Sequence, residues 1–188
     1  MTFQADKYQE LALKTFNGGS DPVRHALLGL AGEAGELLEL YKKHEYKPGF
    51  SWWDCKICGQ ASYDIFHGQE PNSHVYVPKV LDELGDWFYY ARIVTFQAEI
   101  SFEVMAAKFN PDGWDALEDL LDDLVYQSIK LRKYYRAYGD IDPKRLQNCV
   151  SVFLAILNDK SVNVPLKEVT ELNYAKLNSA PGAHGWKK

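Results

Sequence analysis

Apolar residues recur at three- and four-residue spacing along most of the chain, and proline, glycine and asparagine punctuate them. FQADKYQELALKTF (3–16) predicts a short amphipathic helix that Asn17-Gly18-Gly19-Ser20 ends. Asp21 and Pro22 restart a helix as N-cap and first helical residue, and it runs to about His44. Lys42, Lys43 and His44 suit its negative C-terminal end. Pro78 opens a third helix, 78–97, rich in aromatic residues. A short helix over 101–109 stops at Asn110-Pro111-Asp112-Gly113. Helices follow at about 115–138 and 143–159, and Pro165 opens the last, to about Leu177, before a loose tail, PGAHGWKK. No alternating strand pattern persists, so the chain reads as one all-α domain, 1–188. Residues 45–77 break the helical pattern with Pro48, Gly49, Trp52-Trp53 and His67-Gly68. A loop of that length is more often functional than idle.

The second helix holds an unexpected stretch, GLAGEAGELLEL (29–40). Glu33 and Glu36 lie one turn apart, on a row with Ala26, Gly29, Leu37 and Leu40. On the third helix, Glu83 and Asp86 share a row with Tyr90, Ile93 and Val94. A solvated acidic face would carry lysine, glutamine or serine beside the acids, and neither row does. Isolated buried carboxylates cost several kcal/mol each, so these four predict a cation site. The ligands are all oxygen, with no histidine three residues on, which disfavours a ferritin-like di-iron centre and favours Mg²⁺ or Mn²⁺. Gly29, Gly32 and Gly35 then thin the helix beside the metal, and alanine at Gly32 or Gly35 is expected to intrude on packing or ligand binding.

The second half echoes the first. ISFEVMAAKF (100–109) resembles VPLKEVTELNYAKL (164–177), each after a long apolar helix. LQNCVSVFLA (146–155) under DELGDWFYYA (82–91) sets Gln147 opposite Glu83 and Val150 opposite Asp86. The pattern is that of a tandem repeat whose second copy, at about 115–178, has lost its acids, or of a chance likeness between helices.

Composition narrows the partners. With 21 basic and 26 acidic residues the net charge is −5, which gives no footprint for nucleic acid or an anionic membrane. No apolar run reaches the length of a membrane span, and MTFQADKYQE lacks a signal-peptide layout. Three cysteines make no disulfide framework, so a reducing, cytoplasmic setting is the default.

YQELALKTF (8–16), HALLGLAGEAGELLELYKKH (25–44), FHG (66–68) and VLDELGDWFYYA (80–91) resemble the MazG-like all-α nucleoside triphosphate pyrophosphohydrolases. The E-x-x-E and E-x-x-D signatures fall on Glu33/Glu36 and Glu83/Asp86. KEVTELNYAKL (167–177) resembles the last core helix of that family, with its Asn-x-x-Lys at Asn173 and Lys176. The resemblance implies a four-helix core, Mg²⁺, and cleavage of an NTP or dNTP to the monophosphate and pyrophosphate. It implies Glu33, Glu36, Glu83 and Asp86 as catalytic metal ligands, Tyr90 and Lys43 as phosphate contacts, and Lys176 or Lys108 as another. It also implies a homodimer, unless the helices at 115–160 substitute for the partner. The stretch between Glu36 and Glu83 exceeds the family's usual gap, because 45–65 is inserted. A contrasting reading is a non-catalytic helical scaffold that senses a nucleotide or binds a protein; retention of all four acids favours the enzyme.

Other chemistry-bearing residues lie in or near the insertion. Cys55 and Cys58, with His67 and His74, have spacing compatible with a structural Zn²⁺ site, although no second Cys-x-x-Cys follows. Trp52 and Trp53 are candidates for stacking on a base or for simple packing, and Phe16 and His25 are weaker base contacts. Trp87 and Cys149 read as core, and LEDLLDDL (117–124) as a solvated acidic face with an apolar stripe.

Overall fold

A computed structural model describes residues 5–57, 59, 66–67, 74–75, 77–109 and 116–178. Seven helices occupy the described residues: α1 (Ala5–Thr15), α2 (Pro22–Tyr46), α3 (Lys79–Gln97), α4 (Phe102–Ala106), α5 (Leu117–Tyr138), α6 (Pro143–Asn158) and α7 (Leu166–Asn178). The fold is all-α. The region 45–77 holds one small exception to the strandless expectation, an antiparallel pair of β1 (Phe66–His67) and β2 (His74–Val75) that sets His67 opposite His74.

Local chemistry explains the boundaries. The Asp21 side chain accepts from the Arg24 amide at 2.9 Å, and Pro22 occupies the first turn of α2. Asp142 and Pro143 repeat this device at α6. Gly139 ends α5 with φ of 72°, a left-handed conformation that glycine adopts without strain.

Helix α3 is the centre. It is buried around nearly its whole circumference, from Val80 to Thr95, its charged residues Asp82 and Arg92 included. α2, α1 and α7 pack on it. α2 also packs on α5, and α5 on α6. The aromatic rings of Trp87 and Phe153 stack at 4.4 Å between centroids, which joins α3 to α6 through the core. The packing is reciprocal: α3 leads into α4, which lies on α6, while α6 leads into α7, which lies on α3. Cys149 is fully buried on α6, and burial pushes its thiol up to about 12.

Residues 51–57 are tied to the start of α3. The Val80 amide donates to the Trp52 carbonyl at 3.0 Å and the Lys79 amide to that of Asp54 at 3.1 Å. The Lys56 amide donates to the Val77 carbonyl at 2.8 Å, and Cys55 forms an isolated antiparallel bridge with Pro78. Trp52 is buried under α2, stacked on His44 at 5.4 Å and tilted against Tyr41 at 5.7 Å.

Candidate metal centre

Glu33 comes from α2, and Glu83 and Asp86 from successive turns of α3. Each offers an oxygen within 4.8 Å of the other two. The acids are shielded but not sealed: the Glu83 side chain is 12% exposed and that of Asp86 27%. Burial, then the charges of Asp86, Glu36 and Glu83, push the Glu33 carboxyl up to about 8, and it hydrogen-bonds with Glu83. Burial raises Glu83 to about 7, with Lys56 opposing and Asp82, Glu36 and Asp86 reinforcing. Asp86 is raised as well, by burial, against the pull of Lys176. Carboxylates brought this close need a shared proton or a cation.

Glu36 stands apart. It is exposed and is not one of the three convergent acids, although its charge is felt by Glu33 and Glu83. Three residues along α2 from Glu33 is a rotation of about 60° away from the buried line through Leu30 and Leu37. The expectation that both glutamates lie on a buried row is corrected accordingly.

Helix α7 closes the other side. Asn173, buried, donates from Nδ2 to Asp86 Oδ1 at 3.0 Å and accepts from the Tyr8 hydroxyl at 2.8 Å. Lys176 Nζ lies 2.5 Å from Asp86 Oδ2 and 2.8 Å from Asp82 Oδ1. Gly85 makes room for this docking, since a Cβ there would sit 2.9 Å from Asn173 Nδ2. Tyr90 lies across from Gly29, where a Cβ would meet its ring at 2.5 Å. The ring of Phe16 is 5.2 Å from His25 and 6.4 Å from Tyr90, so an aromatic group borders the Glu33 side.

Asp82 is the residue that the sequence reading missed. It is buried and pairs with Lys56 as well as Lys176, which hold its carboxyl below the usual range against burial. Its signal was present in the sequence: an acid beside Glu83 among the apolar residues Val80, Leu81 and Leu84.

Other expected contacts lie elsewhere. Lys43 pairs with Glu39 at 3.5 Å on the exposed end of α2. Lys108 is exposed after α4, which packs on α6, so Lys176 is the lysine at the acids. Of the two readings of Trp52, its burial supports packing: it is 1% exposed and His44 stacks on it. Trp53 is half-buried beside it. Alanine at Gly32 or Gly35 is corrected from an intrusion on packing to a methyl in open space, with nothing within 4 Å. Cys55 is buried, whereas Cys58 and the side chains of His67 and His74 lie outside the described residues.

The oxygen-only donor set fits a hard divalent cation. With Glu33, Glu83, Asp86 and Asp82 ionised, four negative charges would face the two ammonium groups of Lys56 and Lys176, with Glu36 adding to that excess from the rim. No membrane-spanning helix occurs among the described residues. No protein-family model, curated protein or solved structure matches this chain.

Proposed function

We propose that the chain is a divalent-metal-dependent nucleoside triphosphate pyrophosphohydrolase, acting on an NTP or dNTP to release the monophosphate and pyrophosphate. The observation that carries the reading is the convergence of Glu33, Glu83 and Asp86 from two helices, with basic side chains beside them. The sequence resemblance supplies the substrate class.

Glu33, Glu83 and Asp86 would hold Mg²⁺ or Mn²⁺. When bound, the ion supplies charge neutralisation of the triphosphate and acidification of water. Lys176 stands at the edge of the acids, within reach of phosphate oxygens. Phe16 and His25, both half-buried, offer ring surface for the nucleoside, and Tyr90, 5% exposed, packs against Phe16. Glu36, exposed beside the three, is assigned to receive the proton of the attacking water. The water oxygen bonds to the α-phosphorus, the bond from the α-phosphorus to the bridging oxygen breaks, and pyrophosphate leaves with that oxygen.

The test is a panel of common NTPs and dNTPs with Mg²⁺, Mn²⁺ or EDTA in ¹⁸O-labelled water, with products resolved by chromatography. Labelled monophosphate, formed only with metal, is the expected result. Glu83→Gln should lower turnover at least about 100-fold, beyond the range for changes outside the ligand shell. Diphosphate with labelled orthophosphate, or no metal-dependent turnover across the panel, rejects the reading.

A further inference from the structure

Lys56 belongs to the inserted segment, outside the stretches that resemble the pyrophosphohydrolase family, yet its ammonium reaches the acidic site. The backbone fixes it there. The Trp52 carbonyl is held by the Val80 amide, the Asp54 carbonyl by the Lys79 amide, and the Lys56 amide donates to Val77. Lys56 Nζ pairs with Asp82 Oδ2 and lies 3.8 Å from Glu83 Oε1. Lys176 takes the other oxygen, Oδ1, at 2.8 Å. Both carboxylate oxygens of Asp82 are thus engaged by ammonium groups. Asp82 serves as an anchor for two lysines, whereas Asp86, although it accepts from Asn173 and Lys176, offers an oxygen within 4.8 Å of those of Glu33 and Glu83.

Lys176 divides its ammonium between Asp82 and Asp86, at 2.8 and 2.5 Å, and Lys56 is the second cation on Asp82. The second is 47% exposed at the mouth of the site. An ammonium has three donors, and Asp82 uses one of those on Lys56. A cation held at this spacing from a metal-binding carboxylate suits a ligand carrying several negative oxygens. We infer that Asp82, Lys56 and Lys176 form a clamp for the oligophosphate of the substrate, in which the insertion supplies Lys56 as a binding residue and Asp82 positions both ammonium groups. This rests on the metal-dependent reading above and extends it to a residue outside the resemblance.

The experiment is calorimetric, on the full chain and its Lys56→Gln and Lys56→Arg variants. Mn²⁺ alone is titrated first, then inorganic pyrophosphate in the presence of Mg²⁺, with melting temperature as a check on folding. Lys56→Gln should bind Mn²⁺ at least as well as the parent, since a positive charge beside the cluster has been removed. It should bind pyrophosphate about tenfold more weakly or worse, the scale of one charge-assisted hydrogen bond. Lys56→Arg should recover most of that loss. Unchanged pyrophosphate affinity in Lys56→Gln, with Mn²⁺ binding intact, overturns the clamp and leaves the metal reading standing. Loss of Mn²⁺ and pyrophosphate binding together, with a lower melting temperature, also overturns it, since Lys56 is then structural. Failure of the parent chain to bind Mn²⁺ overturns the metal reading, and the clamp with it.

Discussion

A methyl group on Gly29 would sit 2.5 Å from the Tyr90 ring, whereas one on Gly32 would touch nothing within 4 Å. The two glycines are one turn apart and have opposite energetics. Gly29 lets α2 approach α3 where Tyr90 borders Glu33, so Gly29→Ala must push the ring or the helix aside. Its melting temperature should fall despite the better helix propensity of alanine. Gly32→Ala lacks that conflict and should gain about 0.5–1 kcal/mol, or about 1–4 °C for a chain of this size. Thermal melts of the two variants check this; a stabilised Gly29→Ala would show that Tyr90 moves freely. Sequence spacing marked Gly29 and Glu33 as neighbours of the inward face. It could not separate Gly29 from Gly32, because that depends on which rings of α3 come opposite.

At the scale of elements, the site is a junction of α2 and α3, with α7 and α1 linked to it through Asn173. The Tyr8 hydroxyl donates to Asn173, and Asn173 donates to Asp86. Asn173→Ala removes both partners at once. The expected loss is about 1–3 kcal/mol from the buried groups left unpaired, read as a lower urea midpoint with an unchanged slope. No loss would mean that water replaces the amide at both ends. The helices themselves were legible from sequence, since apolar periodicity and the Asp21-Pro22 and Asp142-Pro143 starts act locally. Glu33, Glu83 and Asp86 were legible because their neighbours on the helix are apolar. Lys56 and the burial of Trp52 were not, because residues 51–57 are positioned by backbone hydrogen bonds to α3 that leave no periodic trace. The exposure of Glu36 was hidden by the same logic, as one row on a helix spans both the core and its rim.

Across the whole molecule, pH and metal should act in opposition. Glu33 and Glu83 titrate at about 8 and about 7 in the fold, against 4.5 for the ordinary side chain. Their protonated forms are favoured in the folded state, so this stabilisation is fully present below about pH 4.5 and is lost as pH rises through 7 and 8. Asp82 and Glu103 are shifted downward, and their contribution is lost instead as pH falls through the acid range. With EDTA, the melting temperature should therefore decline between pH 5 and pH 8, and Mg²⁺ should restore more of it at the higher pH. A flat EDTA profile would show that the acids are not crowded in solution. The reciprocal exchange of α4 and α7 between the two helix pairs has a temporal side. Lys176 lies 90 positions after Asp86, a distance that a ribosome covers in roughly 4–18 s at ordinary elongation rates. Through that interval α2 and α3 have emerged with their carboxylates but without the ammonium from α7. Among the charges that quiet Asp86, that of Lys56 is made before it and that of Lys176 long after, so through this interval the acids have one of their two ammonium partners.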